Sequence, residues 1–370
     1  MLSLRQKSLW LLRFIAQQFL LNNFCSTTFN ETFTEYLSMR RMLISRRSLL
    51  AGSVAAISST SLVSALRAQD ANETEPKLAE TEGRIKYDSP EVQNWKIGLE
   101  LETPVTCTNV FASFPIPMNW PEQTVTVTGK EIDRSISAWK VRDIGTGVKQ
   151  VILKIPRVVA GGTAKLLLEL AVEKSRILAP TRTDDLVIPK RPGREERLYL
   201  SSSPYIDTKH ARIKAVSKEL ESRDAENAWD RVEQIYDWVR ENVQYVEGDL
   251  KNASMALKDG KGDCEEMTSL VVALCRNAKV PARMVWVPGH CYPEFYLEDG
   301  DGKGYWFPCQ AAGTRQFGRM DEYRPVLQKG DKFKVPEKKT PVRYVAEFFK
   351  CDRKGNGNPR PKFIRDQIEI

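Results

Sequence analysis

In this 370-residue chain the chemistry starts from a sulfur. Cys264 stands where an apolar helical repeat begins, with Met267, Leu270, Val271, Leu274 and Cys275 at i, i+3, i+4, i+7 and i+8, the spacing of one helix face. Asp263 followed by Glu266 makes a start of the capping-box type, so the spacing predicts a helix that opens at Cys264 and ends before Pro281. The first turn of a helix favours an anion through its unpaired N–H groups and dipole, which stabilises a thiolate there. Positions 264, 267, 271 and 275 share one side, so the sulfur is expected to point along the apolar stripe toward a sheet. The charges of Asp263, Glu265 and Glu266 would oppose ionisation if they pointed the same way.

A cysteine nucleophile needs a base, and the chain has two histidines. His210 lies between Lys209 and Arg212 in a polar stretch and reads as solvated surface. His290 opens a strand-like run after Pro288-Gly289 and is the better candidate. The runs from His290 to Leu297 and from Tyr305 to Gln310 are joined by Asp299-Gly300-Asp301-Gly302-Lys303, a linker of hairpin type. A hairpin centred near Gly300 sets His290 opposite Gln310, and Cys291 opposite Cys309 on the other surface. The Gln310 amide oxygen could then accept the imidazole N–H and fix its tautomer.

Each of these features has a plainer reading. A cysteine on an apolar helix face is ordinarily core, and Cys275 is expected to be packing. Cys291 and Cys309 could form a cross-strand disulfide or, with Cys264 and His290, a metal site; opposite side-chain faces disfavour the metal. No CxxC pair occurs, so neither a zinc ribbon nor a thioredoxin-type pair is indicated. Asp299-Gly300-Asp301-Gly302 has part of a calcium-loop pattern, but its twelfth position is Gln310 instead of a bidentate Glu, which favours a simple turn. Arg283, close after the helix, reads as a substrate-side cation or half of a structural ion pair, the latter being favoured.

The elements that must position these residues fall into two groups. Between Trp95 and Val172 the pattern is short strands: Trp95, Ile97, Leu99 and Leu101 alternate with polar residues, and Val125–Val127, Val148–Ile155 and Ala164–Val172 follow, separated by Pro and Gly. That suggests a β-sandwich-like domain over 93–179, preceded by a polar segment over 69–92. Residues 180–203, with Pro189 and Pro192, read as a linker. Helical faces then come from Ile213, Val216 and Leu220 and from Trp229, Val232, Ile235, Tyr236, Val239 and Val243. Helices followed by an antiparallel sheet over 204–318 make the fold class α+β, and 319–370 is a charged extension.

The formal charge of +8 and pI near 9.0 invite a nucleic-acid reading, which the location of the charge removes. Residues 1–68 carry Lys7 and seven arginines against Glu31 and Glu35, a net +6, leaving +2 for the remaining 302 residues. Phosphate tracking needs clustered, uncompensated cations, so no nucleic-acid partner is expected. The segment Ser45-Arg46-Arg47-Ser48-Leu49-Leu50 and the Ala/Ser-rich run to Leu66 have the layout of a twin-arginine export signal. Residues 1–68 are therefore expected to be a removable leader, the location periplasmic or otherwise exported, and membrane contact transient.

Gly262-Asp263-Cys264 opening an apolar helix, Val280-Pro281-Ala282-Arg283 after it, His290 with Glu294, and Trp306-Phe307-Pro308 closing the hairpin together resemble the transglutaminase-like family of papain-type cysteine proteases. The resemblance covers about Pro204 to Gln310. It implies a papain-like core of helices on an antiparallel sheet, no cofactor, and a Cys-His-Asp triad that maps onto Cys264, His290 and the position held by Gln310. An Asp would give the imidazolium a charged partner, whereas Gln310 can only orient it. The implied function is an exported thiol enzyme that cleaves or transfers amide bonds of peptides or proteins, as a protease or amidase or as a transglutaminase. The alternative is a non-catalytic module that binds a peptide or cell-envelope polymer.

Overall fold

The computed structural model describes residues 84–369; the expected leader and most of the polar segment after it lie outside the described residues. The first half is strand-rich: β1 (Lys86–Glu102), β2 (Thr106–Ile116), β3 (Gln123–Ile132), β4 (Ala138–Ile144), β5 (Val148–Val158) and β6 (Thr163–Leu178). Two more strands come from the C-terminal segment, β13 (Phe348–Lys354) and β14 (Arg360–Ile368). Together they make two four-stranded antiparallel sheets, in the orders β14-β1-β6-β3 and β13-β2-β5-β4. Their inward residues, among them Ile97, Leu99, Phe114, Leu153, Leu166 and Leu168, form one apolar core. Alternation along each strand produces this, since every second side chain faces the opposing sheet.

Between these strands lies the α+β part. After the short α1 (Arg194–Leu198) come α2 (Ala211–Glu221), α3 (Ala228–Asn242), α4 (Ala253–Asp259) and α5 (Cys264–Asn277). Helix α5 packs on the antiparallel sheet β11-β10-β9-β12, built from β9 (Ala282–Val287), β10 (His290–Glu298), β11 (Gly304–Pro308) and β12 (Gln328–Lys329). A two-residue parallel pair, β7 (Gln244–Tyr245) with β8 (Lys261–Gly262), leads into Cys264. His210, which reads as surface in the sequence, caps α2: its Nδ1 accepts the Arg212 N–H at 3.2 Å. Trp229 at the start of α3 packs edge-on against Phe295, Phe307 and Phe317, locking the helix to the sheet.

Behind the sheet, Val285, Val287, Tyr292, Met320 and Val326 pack with Ile177 and, more peripherally, Tyr87 and Trp120, joining the α+β part to the sandwich. The same region buries charge. Lys329 Nζ meets Glu122 at 2.6 Å and Glu294 at 2.7 Å, and Glu294 also holds Arg283 at 2.8 Å. Arg283 stacks on Trp306 at 4.0 Å, so it is the structural ion pair its position suggested. Arg276 at the end of α5 pairs with Asp331 at 2.7 Å with both side chains fully excluded from solvent. Such pairs add little net stability but are costly to break, because a lone buried charge remains.

The hairpin register differs from expectation. The linker closes through Asp299 N–H to Lys303 O at 2.9 Å and centres on Asp301, so Glu294 pairs with Pro308 and Phe295 with Phe307. Relative to a centre near Gly300, the register slides by two residues. On the β11 edge the ladder ends at Glu294, so Gln310 and Cys309 are not cross-strand partners of His290 and Cys291; on the other edge His290 pairs with Val287 of β9 and Cys291 with Trp286. Cys291 and Cys309 are both free, fully buried thiols in the core beneath α5, and the expected cross-strand disulfide is not formed. Asp299 spends its carboxylate on the Asp301 and Lys303 N–H groups and the Tyr305 hydroxyl, as a turn residue does.

Candidate active site

Cys264 is the first residue of α5, and the turn beneath it is fixed by its neighbours. Asp263 Oδ1 accepts the N–H groups of Glu265 at 2.7 Å and Glu266 at 3.4 Å, while Glu266 Oε2 accepts the Asp263 N–H at 2.9 Å. This complete capping box clamps the backbone on both sides of the cysteine. The nearby acids are thus occupied. Glu265 is paired with Arg343, and Glu266 also accepts the Lys251 N–H at 3.1 Å. Their negative charge is taken up locally and does not face the sulfur unopposed.

The half-buried Cys264 thiol has its pKa pulled down from 9.0 to about 5. The largest cause is a hydrogen bond from the Cys291 thiol; burial opposes it, and the His290 hydrogen bond and charge, with the Cys291 backbone N–H, complete the shift. Cys291, in turn, is pushed well up by burial and by the neighbouring thiolate, so it stays a donor. Burial works to lower the His290 pKa, but the hydrogen bond to Cys264 and its charge outweigh it, and the net shift is upward. The two shifts point to one species, a thiolate–imidazolium pair, which titrates as a unit.

His290 Nε2 lies 2.8 Å from Gln310 Oε1. An amide oxygen only accepts, so Nε2 carries the proton and Nδ1 is left for the sulfur. The structure therefore brings Cys264, His290 and Gln310 together although His290 and Gln310 are not direct cross-strand partners. A slide of two residues keeps each side chain on its own face, which is why the contact survives. Gln310 is itself held from α3: Tyr236 Oη and Arg240 Nη1 each donate to its carbonyl at 2.9 Å, and its N–H donates to Gln316 O at 2.8 Å. Neither anchor stands out in the sequence, where Tyr236 reads only as part of an apolar stripe.

Around the sulfur, Tyr245 lies close enough for the Cys264 charge to help raise its phenol pKa, after burial, and it is substantially exposed. Arg343 lies over the rings of Tyr205 and Trp286, each at 5.2 Å, and burial lowers its pKa. Arg324 donates to Pro288 O at 2.9 Å, holding the turn before His290. Among the described residues no group of three or more His, Cys, Asp and Glu side chains could hold a metal ion. None of the described helices is long and apolar enough to cross a membrane.

Residues 214–311 match the model of the transglutaminase-like superfamily, a span containing Cys264, His290 and Gln310. Among solved structures, a candidate cysteine protease from Cytophaga hutchinsonii is similar at a TM-score of 0.47 and 15% identity, covering 77% of this chain and 93% of that one. A candidate protease from Parabacteroides distasonis is similar at a TM-score of 0.23 and 10% identity, covering 63% of this chain and 71% of that one. No curated protein matches the chain.

Proposed function

We propose that this chain, whose residues 214–311 match the transglutaminase-like superfamily, is a thiol enzyme acting on amide bonds of peptides or proteins. The observation that carries the reading is the continuous link from Cys264 through His290 to Gln310, with a thiol made acidic and an imidazole made basic. The Cys264 thiolate attacks the amide carbonyl carbon, and the developing oxyanion is met by the Cys264 backbone N–H at the start of α5. His290, protonated at Nδ1, gives that proton to the departing amine, leaving a thioester. Neutral His290 then takes a proton from the second nucleophile. Water makes the reaction hydrolysis, as in a protease or amidase; a primary amine makes it transamidation. Gln310 keeps the imidazole aimed throughout, and no step calls for a cofactor.

The twin-arginine layout at Arg46-Arg47 supports export to the periplasm or beyond, with membrane contact only through the leader. The near-neutral balance after residue 68 supports a peptide or protein substrate in place of a nucleic acid. The test is incubation of the protein with a peptide library and a fluorescent primary amine, with Cys264→Ala as control. New termini that need Cys264 identify a hydrolase, and incorporated amine a transamidase. Peptide binding without either product, in wild type and variant alike, would favour the binding-module reading and overturn this one.

A further inference from the structure

Far from Cys264 a second pair of sulfurs is in contact. Cys107 on β2 and Cys351 on β13 have their Sγ atoms 3.4 Å apart, both thiols free, 244 positions apart in sequence. They are diagonal neighbours: Cys107 pairs with Arg353, two residues beyond Cys351, across a register shift at Lys350/Asp352. Asn109, opposite this irregularity, has a positive φ of 52°, a conformation that bulges use to re-aim side chains. Cys107 is fully buried in the sandwich core, while Cys351 is only partly covered and borders a surface cleft of about 630 Å³ with Asn109, Lys350 and Asp352. One sulfur is thus reachable from outside and the other lies directly behind it.

We infer that Cys107 and Cys351 are a disulfide site, formed by exchange with a low-molecular-weight disulfide or a disulfide-bearing oxidoreductase, that bolts the last strands of the chain to the sandwich. The Cys351 thiolate attacks one sulfur of the oxidant, releasing the first reduced thiol. The Cys107 thiolate then attacks the Cys351 sulfur of the mixed disulfide, releasing the second. Two protein thiols lose two protons and two electrons, and one oxidant disulfide becomes two thiols. The sulfurs need to close from 3.4 Å to about 2.05 Å, a side-chain adjustment. Burial and the neighbouring Cys107 raise the Cys351 thiol to about 11, so the reaction is slow and speeds up with pH.

The covalent ring would enclose the whole α+β part, because everything from β3 to β12 lies between the two cysteines. Oxidation therefore removes conformational freedom from the unfolded chain while leaving the native contacts in place.

The experiment uses the full chain in the Cys264→Ala background, so that the acidic thiol does not capture the reagent. After incubation with oxidised glutathione at mildly alkaline pH, a non-reducing digest is read by mass spectrometry beside a thiol titration and a melting curve. The expected result is a linked Cys107–Cys351 peptide, a thiol count lower by two, and a Tm raised by several degrees and restored by reductant. Cys351→Ser should abolish all three changes while folding normally, which covers the risk that replacing the buried Cys107 disrupts the core. Cys351 carrying only glutathione, a linked peptide joining other cysteines, or no linked peptide under these conditions would overturn the inference.

Discussion

Cys264 and Cys275 occupy the same face of α5, three turns apart, yet their chemistry runs in opposite directions. The first is pulled down to about 5 and the second is pushed up to about 12, burial being the main cause at Cys275. Both are close to the apolar core, so exposure alone does not separate them. The separation comes from what faces each sulfur: a thiol donor, an imidazole and a backbone N–H at one end, and apolar side chains at the other. A helix face therefore delivers the sulfur, and the strand beginning at His290 makes it reactive.

Replacing each cysteine by Ala should split the two roles, with the largest effect at the first. Cys264→Ala should lower peptide cleavage or amine incorporation by roughly four orders of magnitude or more, with an unchanged melting curve. Cys275→Ala should cost about 1–2 kcal/mol of stability through its small cavity and leave kcat in place. Measured turnover and Tm of both variants check this. Loss of activity in Cys275→Ala alone would invert the comparison.

Reactivity with iodoacetamide sharpens it without needing a substrate. A depressed pKa means the thiolate forms as pH rises through about 5, whereas an ordinary thiol waits until about 9. Alkylation of Cys264 should already be near its plateau at about pH 7, with Cys275 unlabelled in the folded protein, both read by mass spectrometry. A midpoint near 9 for Cys264 would remove the thiolate–imidazolium pair from the site.

At Gln310 the effect is smaller and has a sign. Gln310→Ala should lower turnover about tenfold to a hundredfold by loosening the imidazole. Gln310→Glu puts a negative charge 2.8 Å from where Nε2 now lies, which raises the His290 pKa further. The active pair exists between the thiol pKa and the imidazolium pKa, so the alkaline limb of the pH–rate profile should move up in the Glu variant. An unmoved limb would show that Gln310 only packs.

The sequence made α5 more legible than the elements packed around it. The capping box, the helix period and Pro281 are local signals, and they place Cys264 and Cys275 to the residue. The hairpin register depends on which atoms close the 299–303 turn, and five turn-forming residues permit more than one centre, hence the two-residue slide. The Tyr236 and Arg240 contacts to Gln310 come from α3, some seventy residues away, and no local pattern encodes them. The tail from 319 to 370 reads as charged extension, yet it supplies β13, β14 and the Arg343 that occupies Glu265. Strands β13 and β14 pair with partners more than two hundred residues earlier, so their apolar residues have no nearby periodicity to announce them.

Next in size is Cys291, which donates its thiol to Cys264. Cys291→Ala removes that donor but keeps the backbone N–H and His290, so the alkylation midpoint of Cys264 should move up part of the way toward that of an ordinary thiol. Cys291→Ser, with a hydroxyl donor, should restore most of the shift. An equal midpoint in wild type and Cys291→Ala would remove the Cys291 thiol as a cause and leave the effect to His290 and the backbone N–H.

The smallest expected effect lies at Asp263, and it tests whether the helix start or the charge near it matters more to the sulfur. Asp263→Asn keeps an oxygen for the Glu265 and Glu266 N–H groups, so stability should fall by only a few tenths of a kcal/mol. Asp263→Ala removes the cap and should cost about 1 kcal/mol. Both variants delete the same negative charge, which by itself lowers the Cys264 pKa. They differ in whether the first turn stays wound against His290 and Cys291. If the turn is what holds the thiolate, the alkylation midpoint should drop slightly in Asn and rise in Ala, opposite signs from the same change of charge. Midpoints that fall together in both variants would mean that the capping box stabilises the helix and does nothing further for the cysteine that follows it.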